Sequence, residues 1–146
     1  MSMSDLRGYK ARVQAPTHVS YRGLDIYSMA PPSSSSTPVG EALNILSGWN
    51  LSAGPRDTAL FHYLEASRLA YAARNAWVGD PRYVGVLVHS LLDPRFAGTR
   101  RCLVHHTALT SPVAPGDPFP PYQKCKNQST PARAVGAAGG ALAQRA

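Results

Sequence analysis

The sequence predicts a mixed α/β (α+β) fold built from two short strands and two to three helices. Two short runs rich in Val, Ile and Tyr predict the strands, and longer stretches with apolar residues at helical spacing predict the helices. A chain of 146 residues suffices for one ordinary domain. Its 44% of hydrophobic residues against 16% of charged residues is typical of a globular protein.

The two strands are predicted near the start of the chain. Residues 18–22 and 24–30 are the runs of strand-forming residues, and Arg22-Gly23 between them indicates a tight turn. Neither face of the second run alternates cleanly between apolar and polar residues. Pro31-Pro32 ends the second strand, and the four serines 33–36 indicate a polar turn.

The first long helix is predicted to begin at Thr37. The Thr37 hydroxyl can cap the helix, Pro38 suits the first helical position, and Glu41 lies in the first turn, near the positive end of the helix dipole. One apolar stripe is expected to face the core. Its members are Val39, Ala42, Leu43, Leu46 and Trp49.

The longest helix is predicted to run from a cap at Asp57 to about Val78. Gly79-Asp80-Pro81 then ends it. Glu65 and Arg68 are expected to point away from the core. The core-facing side is formed by Ala66, Leu69, Ala70, Ala73 and Trp77, and Leu60 and Leu64 are expected to lead into it.

The pattern is weaker after this helix. Residues 86–92 fit either a strand or the start of a helix, and a second helical stretch is predicted over 94–103. Residues 112–121 contain five prolines, and residues 132–146 are almost wholly Ala, Gly, Gln and Arg. We therefore expect a folded segment over residues 1–111 and a disordered tail over 112–146.

The net charge of +7 raises the question of a nucleic-acid partner. The basic residues are scattered, and Arg95, Arg100 and Arg101 lack the interleaved aromatic residues of a stacking platform, so no nucleic-acid partner is predicted. Cys102 and Cys125 imply no disulfide framework. The chain contains neither a signal-peptide core nor a membrane-spanning run, so we expect a cytoplasmic location and no membrane association.

Several blocks stand out by their order and spacing. They are Asp5-Leu6 with Tyr9, Pro16, Tyr21-Arg22-Gly23, Pro31-Pro32-Ser33-Ser34, Leu43-Asn44-Ile45-Leu46, Arg74 and Gly79-Asp80-Pro81. In this order they resemble the γ-glutamyltransferase family, in the C-terminal part of its large subunit. The resemblance covers about residues 5–122. Ser35 and Ser36 stand where the family usually has two glycines, and Ala73 stands where it usually has an aspartate.

The resemblance implies an N-terminal-nucleophile (αββα) hydrolase fold, of which this chain would be an incomplete fragment. In such an enzyme a precursor cleaves itself and frees a threonine, which attacks the γ-glutamyl amide of a donor such as glutathione. The α-amine of that threonine activates its hydroxyl, which is otherwise a weak nucleophile. The glutamyl group then passes to water or to an amino acid.

The residues after Tyr122 depart from the family pattern. Residues 115–122 resemble the approach to the nucleophile, but the expected Thr-Thr-His block does not follow. Thr130 is near the expected position, yet Pro131 follows it, and we expect it not to act as a nucleophile. A shift of reading frame after Tyr122 is one hypothesis for the composition of the tail.

No catalytic, cofactor-binding or metal-binding residue is predicted. His89, Cys102 and His105-His106 fit no ligand spacing, and no GxSxG frame surrounds the serines 33–36. Asp80 and Arg74 are interpreted as a structural pair or as residues that fix the helix end.

The leading interpretation is a γ-glutamyltransferase fragment that is inactive alone and requires no cofactor. A non-catalytic partner that docks on an intact homologue or a missing subunit is the rival interpretation, since open strand edges can accept another chain. A fragment of a related acylase is a third, because large-subunit blocks do not determine which acyl group is accepted.

Overall fold

A computed structural model describes residues 2–123. Within them lie two strands and five helices, which mix α and β structure as predicted. The elements are α1 (Met3–Gly8), β1 (Thr17–Tyr21), β2 (Leu24–Ser28), α2 (Thr37–Leu46), α3 (Arg56–Trp77), α4 (Val88–Leu91) and α5 (Pro94–Arg101).

The strands form an antiparallel hairpin, as the sequence predicts, with Tyr21 opposite Leu24. Arg22 and Gly23 have φ angles of 52° and 80°, the left-handed conformation that a two-residue hairpin turn requires. Val19 is buried where the hairpin packs on α2, whereas Tyr27 on the outer face is 65% exposed. Only one face of the hairpin is covered by the described residues.

The core lies where α2, α3 and α5 meet. The alanines of α3 allow this close packing, and the predicted core-facing side of that helix is confirmed at Leu69 and its neighbours. The expectation that Leu60 and Leu64 lead into this side is wrong, because they are 53% and 50% exposed. A second cluster of Ala73, Leu91 and Phe96 continues the core toward α4. The main cluster consists of Ile45, Leu46, Ala66, Leu69, Ala97 and Val104.

The register predicted for α2 requires correction. Val39, assigned to the core-facing stripe, is 42% exposed, while Glu41 and Asn44 are buried. The helix is turned because polar residues on it have partners in distant segments. The Asn44 side-chain amide, for example, donates to the Leu92 carbonyl at 2.8 Å. Ser36 takes the capping position without a side-chain cap bond, and Thr37 is the first helical residue.

Glu65 of α3 was expected to point outward and is instead buried. Arg68 donates to one of its carboxylate oxygens at 2.6 Å, and the Leu109 backbone amide donates to the other at 3.1 Å. The helix itself runs from Arg56 to Trp77, so its predicted C-terminal end is confirmed to within a residue. The predicted cap at Asp57 is wrong by two residues, because Pro55 takes the N-cap position and Asp57 lies inside the first turn.

The alternatives for residues 86–92 resolve as helix, since α4 spans Val88–Leu91. Asp93 then caps α5, its carboxylate accepting from the Arg95 amide at 2.8 Å. Among the helices within residues 2–123, none is both long and apolar enough to cross a bilayer.

Residues 112–123, which we name the approach segment, lack helix and strand. They were assigned to the tail, but they pack against the helices, and Pro118 is fully buried. The packing follows from hydrogen bonds to Ala114 and Gly116 described below. The remaining tail lies outside the described residues, and the domain boundary after residue 111 stays a prediction.

Leu69→Ala tests the placement of the core. Leu69 is fully buried, so we expect a loss of about 2–5 kcal/mol in the free energy of unfolding. The matched control is Leu60→Ala on the same helix, where the side chain is 53% exposed and a change of about 0.5 kcal/mol or less is expected. Urea unfolding followed by circular dichroism measures both. Equal losses would show that α3 is turned differently.

Candidate functional site

A buried ion pair lies between α2 and α5. Arg100 Nε is 3.7 Å from Glu41 Oε1, and the two side chains are 3% and 1% exposed. Arg100 Nη2 reaches past α5 to donate to the Ala114 carbonyl at 2.5 Å and to the Leu69 carbonyl at 3.4 Å. One guanidinium group thus contacts α2, α3 and the approach segment.

This pair is incompletely hydrogen-bonded. Within residues 2–123, both Glu41 carboxylate oxygens, Arg100 Nε and the Thr37 hydroxyl are buried without a hydrogen-bond partner. Burial raises the Glu41 pKa to about 8, and attraction to Arg100 opposes this only in part. The 3.7 Å separation exceeds a hydrogen bond, so the desolvation of the carboxylate prevails.

Arg101, the next residue, closes the end of α2. Its guanidinium donates to the Ile45 and Asn44 carbonyls, each at 2.7 Å. These carbonyls lie in the last turn of α2, where intrahelical partners run out and a cation is favoured. Arg95, by contrast, is exposed and pairs with Asp93 at 2.7 Å. Arg95, Arg100 and Arg101 lie close together in the sequence, but each makes a separate structural contact.

A second arginine holds the start of the Pro-rich stretch. Arg68 Nη2 donates to the Leu109 carbonyl at 2.9 Å and to the Ser111 hydroxyl at 3.0 Å. Glu65 binds both Arg68 and the Leu109 amide. Because Glu65 and Arg68 lie on adjacent turns, the Glu65–Arg68 pair attaches residues 109–111 to α3.

The third contact comes from a tryptophan at the end of α3. The Trp77 indole donates to the Gly116 carbonyl at 3.2 Å, and its ring meets Phe119 edge-on at 5.7 Å. Gly116 has a φ of 77°, and a Cβ there would lie 2.8 Å from Arg100 Nη1. Glycine is therefore required both by the backbone conformation and by the approach of Arg100.

The residues weighed from the sequence do not assemble into a reactive centre. His89, His105 and His106 are exposed, and the described part of the chain holds no group of three or more potential metal ligands. Cys102 is disulfide-bonded, a pairing that the cysteine spacing did not predict. Thr130 lies outside the described residues.

Arg74 and Asp80, interpreted as a structural pair, bind different partners. Arg74 donates to the Ser34 hydroxyl at 3.1 Å, whereas Asp80 pairs with Arg82 at 3.0 Å. The serine turn is a connector, tied to α3 through Ser34. Ser36, at a position where glycine is usual, has a φ of −73°, so the turn does not use the left-handed conformation there.

An open groove separates α5 from the end of the approach segment. Trp49, Arg95, Thr99 and Tyr122 are among the residues that line it. Trp49 stacks on His62 with ring centroids 4.2 Å apart. The groove carries aromatic and basic side chains, and its far wall is residues 120–123, whose position depends on the contacts of Arg100 and Trp77.

The fold is shared with known proteins. The crystal structure of Helicobacter pylori gamma-glutamyltranspeptidase superposes with a TM-score of 0.71 at 30% identity, covering 87% of this chain and 36% of that chain. This likeness places the chain in the N-terminal-nucleophile hydrolase class. A family model described as Gamma-glutamyltranspeptidase matches residues 1–142. The chain belongs to the gamma-glutamyltranspeptidase family.

Two curated relatives carry different names. Acylase ACY 1 proenzyme of Pseudomonas sp. (strain V22) is 38% identical over 106 residues, which are 71% of this chain and 19% of that protein. Glutathione hydrolase proenzyme of Pseudomonas sp. (strain A14) is 34% identical over 127 residues, or 84% of this chain and 22% of that protein. The chain thus spans about a fifth of the length of these curated relatives.

The family match is longer than the blocks in the sequence suggested. The resemblance was expected to end near Tyr122, but the match continues through Thr130 to residue 142. Composition concealed this extension, because the Ala- and Gly-rich residues carry no periodic pattern. The prediction that no residue of this chain is catalytic stays a prediction.

Glu41→Gln tests the electrostatics of the buried pair. The folded-state pKa of about 8 lies above the ordinary value of 4.5, so folding takes up a proton between these values. The stabilisation by the protonated carboxyl is full below pH 4.5 and is lost as the pH rises through about 8. Relative to Glu41→Gln, the parent chain should lose on the order of 4 kcal/mol of unfolding free energy from pH 4.5 to 8.

Urea titrations at several pH values measure this difference, and the variant removes the effect of the histidines common to both proteins. A difference between the parent chain and Glu41→Gln that stays constant from pH 4.5 to 8 would show that folding does not raise the Glu41 pKa.

Proposed function

We propose that this chain is a structural segment of a γ-glutamyltransferase, which transfers γ-glutamyl groups from glutathione-like donors to water or amino acids. The observation that carries the proposal is the anchoring of the approach segment by Trp77 and Arg100, with Arg68 holding the residues just before it, within a chain of this family. In this role the helices hold the backbone that leads toward the reacting residue. In this proposal the chain positions that backbone, and another part of the enzyme supplies the groups that react.

The chain alone is proposed to be inactive. Acyl transfer by a hydroxyl requires a base beside the nucleophile and donors for the developing oxyanion. Thr130 is followed by Pro131, and the sequence after Tyr122 contains no Thr-Thr-His block. No metal or other cofactor is part of the proposal. The cytoplasmic location likewise stays a prediction.

A related acylase is the second candidate. It is favoured by the 38% identity with Acylase ACY 1 proenzyme, against 34% with the glutathione hydrolase proenzyme. The contacts of Arg100 and Trp77 are made to backbone carbonyls, and they would serve either reaction. These contacts therefore do not distinguish a γ-glutamyltransferase from an acylase.

A partner chain is supported by the outer face of α3. Leu60, Tyr63, Leu64 and Tyr71 are each at least 50% exposed, and their helical spacing places them opposite the buried alanines. Apolar stripes of this kind mark interaction surfaces. The partner would be the remainder of a γ-glutamyltransferase or an intact homologue. If the immobilised chain captures no intact homologue in a pull-down, the proposed partner is wrong.

Hydrolysis of a chromogenic γ-glutamyl anilide by the purified chain tests the inactivity. We expect no release above the blank, because no activated nucleophile is available. An intact family member is the positive control, and the Thr130→Ala variant is the matched negative control. Release by the parent chain that disappears in Thr130→Ala would show that Thr130 reacts and would overturn this part of the proposal.

A chimaera tests the structural role. The segment of Helicobacter pylori gamma-glutamyltranspeptidase that superposes on residues 2–123 would be replaced by those residues. Because the backbones correspond at a TM-score of 0.71, we expect self-cleavage and anilide hydrolysis within about tenfold of the parent enzyme.

The control chimaera carries Leu69→Ala, which should lower the yield of folded enzyme. A folded chimaera without γ-glutamyl hydrolysis would contradict the γ-glutamyltransferase assignment. The rest of that chimaera is a gamma-glutamyltranspeptidase, so its activity tests the structural role of the segment and not the choice of acyl group.

A further inference from the structure

We propose that Arg100, buried between α2 and α3, is a positioning residue that sets the path of the approach segment through the Ala114 carbonyl and the space left by Gly116. The inference rests on the proposed function only for its catalytic consequence. The positioning itself is a property of this chain and can be measured on it.

The orientation of Arg100 is determined on several sides. Glu41 lies 3.7 Å from Nε, the Phe96 ring lies 5.9 Å from the guanidinium carbon, and Nη2 donates to Leu69. The side chain is 3% exposed, so its direction is fixed by protein contacts alone. A buried arginine is costly and is retained where its planar donor group binds several acceptors at once. Here the acceptor outside the helices is the Ala114 carbonyl.

The approach segment depends on such donors because it makes few hydrogen bonds of its own. Five of residues 112–121 are prolines, which have no backbone N–H. Ala114 is half-buried and lies outside the strands, and its carbonyl accepts from the Arg100 guanidinium. Removing the guanidinium would leave this carbonyl without its donor, which weakens the attachment of the segment to α5.

The effect of Arg100 extends along the segment. Two residues after Ala114, the Gly116 carbonyl accepts from Trp77, and Gly116 fits against Arg100 only because it lacks a Cβ. Pro118 is then fully buried, and its carbonyl accepts from the Tyr122 hydroxyl at 3.0 Å. Residues 114–122 are thus joined in one chain of contacts that begins at Arg100.

Trp77 provides a direct reporter of this chain of contacts. In a Trp49→Phe background it is the remaining tryptophan, and its environment includes Gly116 and Phe119. We would measure its emission maximum and its quenching by acrylamide in the parent background, in Arg100→Lys and in Arg100→Ala. Arg82→Ala is the control, since Arg82 is exposed and pairs with Asp80.

We expect the quenching constant of Trp77 to rise about twofold or more in Arg100→Ala, because release of a docked segment exposes what it covered. Arg100→Lys keeps the charge but loses the forked donor, so a smaller rise is expected. Arg82→Ala should match the background, and helical circular dichroism should be unchanged in Arg100→Lys. Unchanged Trp77 quenching in Arg100→Lys, with the fold intact, would overturn the proposal.

The chimaera separates this inference from the proposed function. With Arg100→Lys in the chimaera, the kcat for anilide hydrolysis should fall by more than KM changes, because a displaced approach segment misplaces the reacting group. If the chimaera is inactive but Trp77 responds as expected, the positioning role stands and the γ-glutamyltransferase assignment fails. If the chimaera is active and neither kcat nor Trp77 responds, the positioning role fails.

Discussion

The path of the approach segment depends on hydrogen bonds that its own backbone cannot make. Prolines remove amide donors, yet the carbonyls of a packed segment still require partners. Trp77 and Arg100 supply these donors from α3 and α5, and Arg68 of α3 holds residues 109–111 just before the segment. An irregular stretch is in this way given a defined position by the regular elements beneath it. The helices must be placed first, and the apolar core around Leu69 places them.

The regular elements were predictable because local signals determine them. Pro31-Pro32 and Gly79-Asp80-Pro81 set the ends of a strand and of α3, and Arg22-Gly23 gives the hairpin its turn. The alanine side of α3 was also correct, because small apolar residues at helical spacing have few other uses. Family membership followed from the order of short blocks, which survives where composition is uninformative.

The buried polar residues were not predictable by the same means. Helical spacing of apolar residues predicts that Val39 is buried and Glu41 exposed. Glu41 is instead buried against Arg100, almost sixty positions later in the sequence. Asn44 and Glu65 are likewise buried by partners in segments distant along the chain. Periodicity reports which residues avoid water and carries no information about remote partners. The hydrogen bonds from Trp77 and Arg100 to the approach segment join such remote partners, so periodicity does not reveal them.

The contacts that hold the approach segment are compatible with both names that the relatives of this chain carry. Its relatives are named as acylases and as glutathione hydrolases, and the contacts to the approach segment are made through backbone carbonyls that are independent of the acyl group. A shared scaffold that positions the backbone and leaves specificity to other residues is consistent with both names.

The most direct test is a double-mutant cycle on the free energy of unfolding, with Arg100→Lys, Gly116→Ala and the two changes combined. If Arg100 and Gly116 hold the same segment, either change alone releases it. The combined loss should then be clearly smaller than the sum of the single losses, by about 0.5 kcal/mol or more. Additive losses would show that the two residues act independently and would contradict the anchoring on which this account rests.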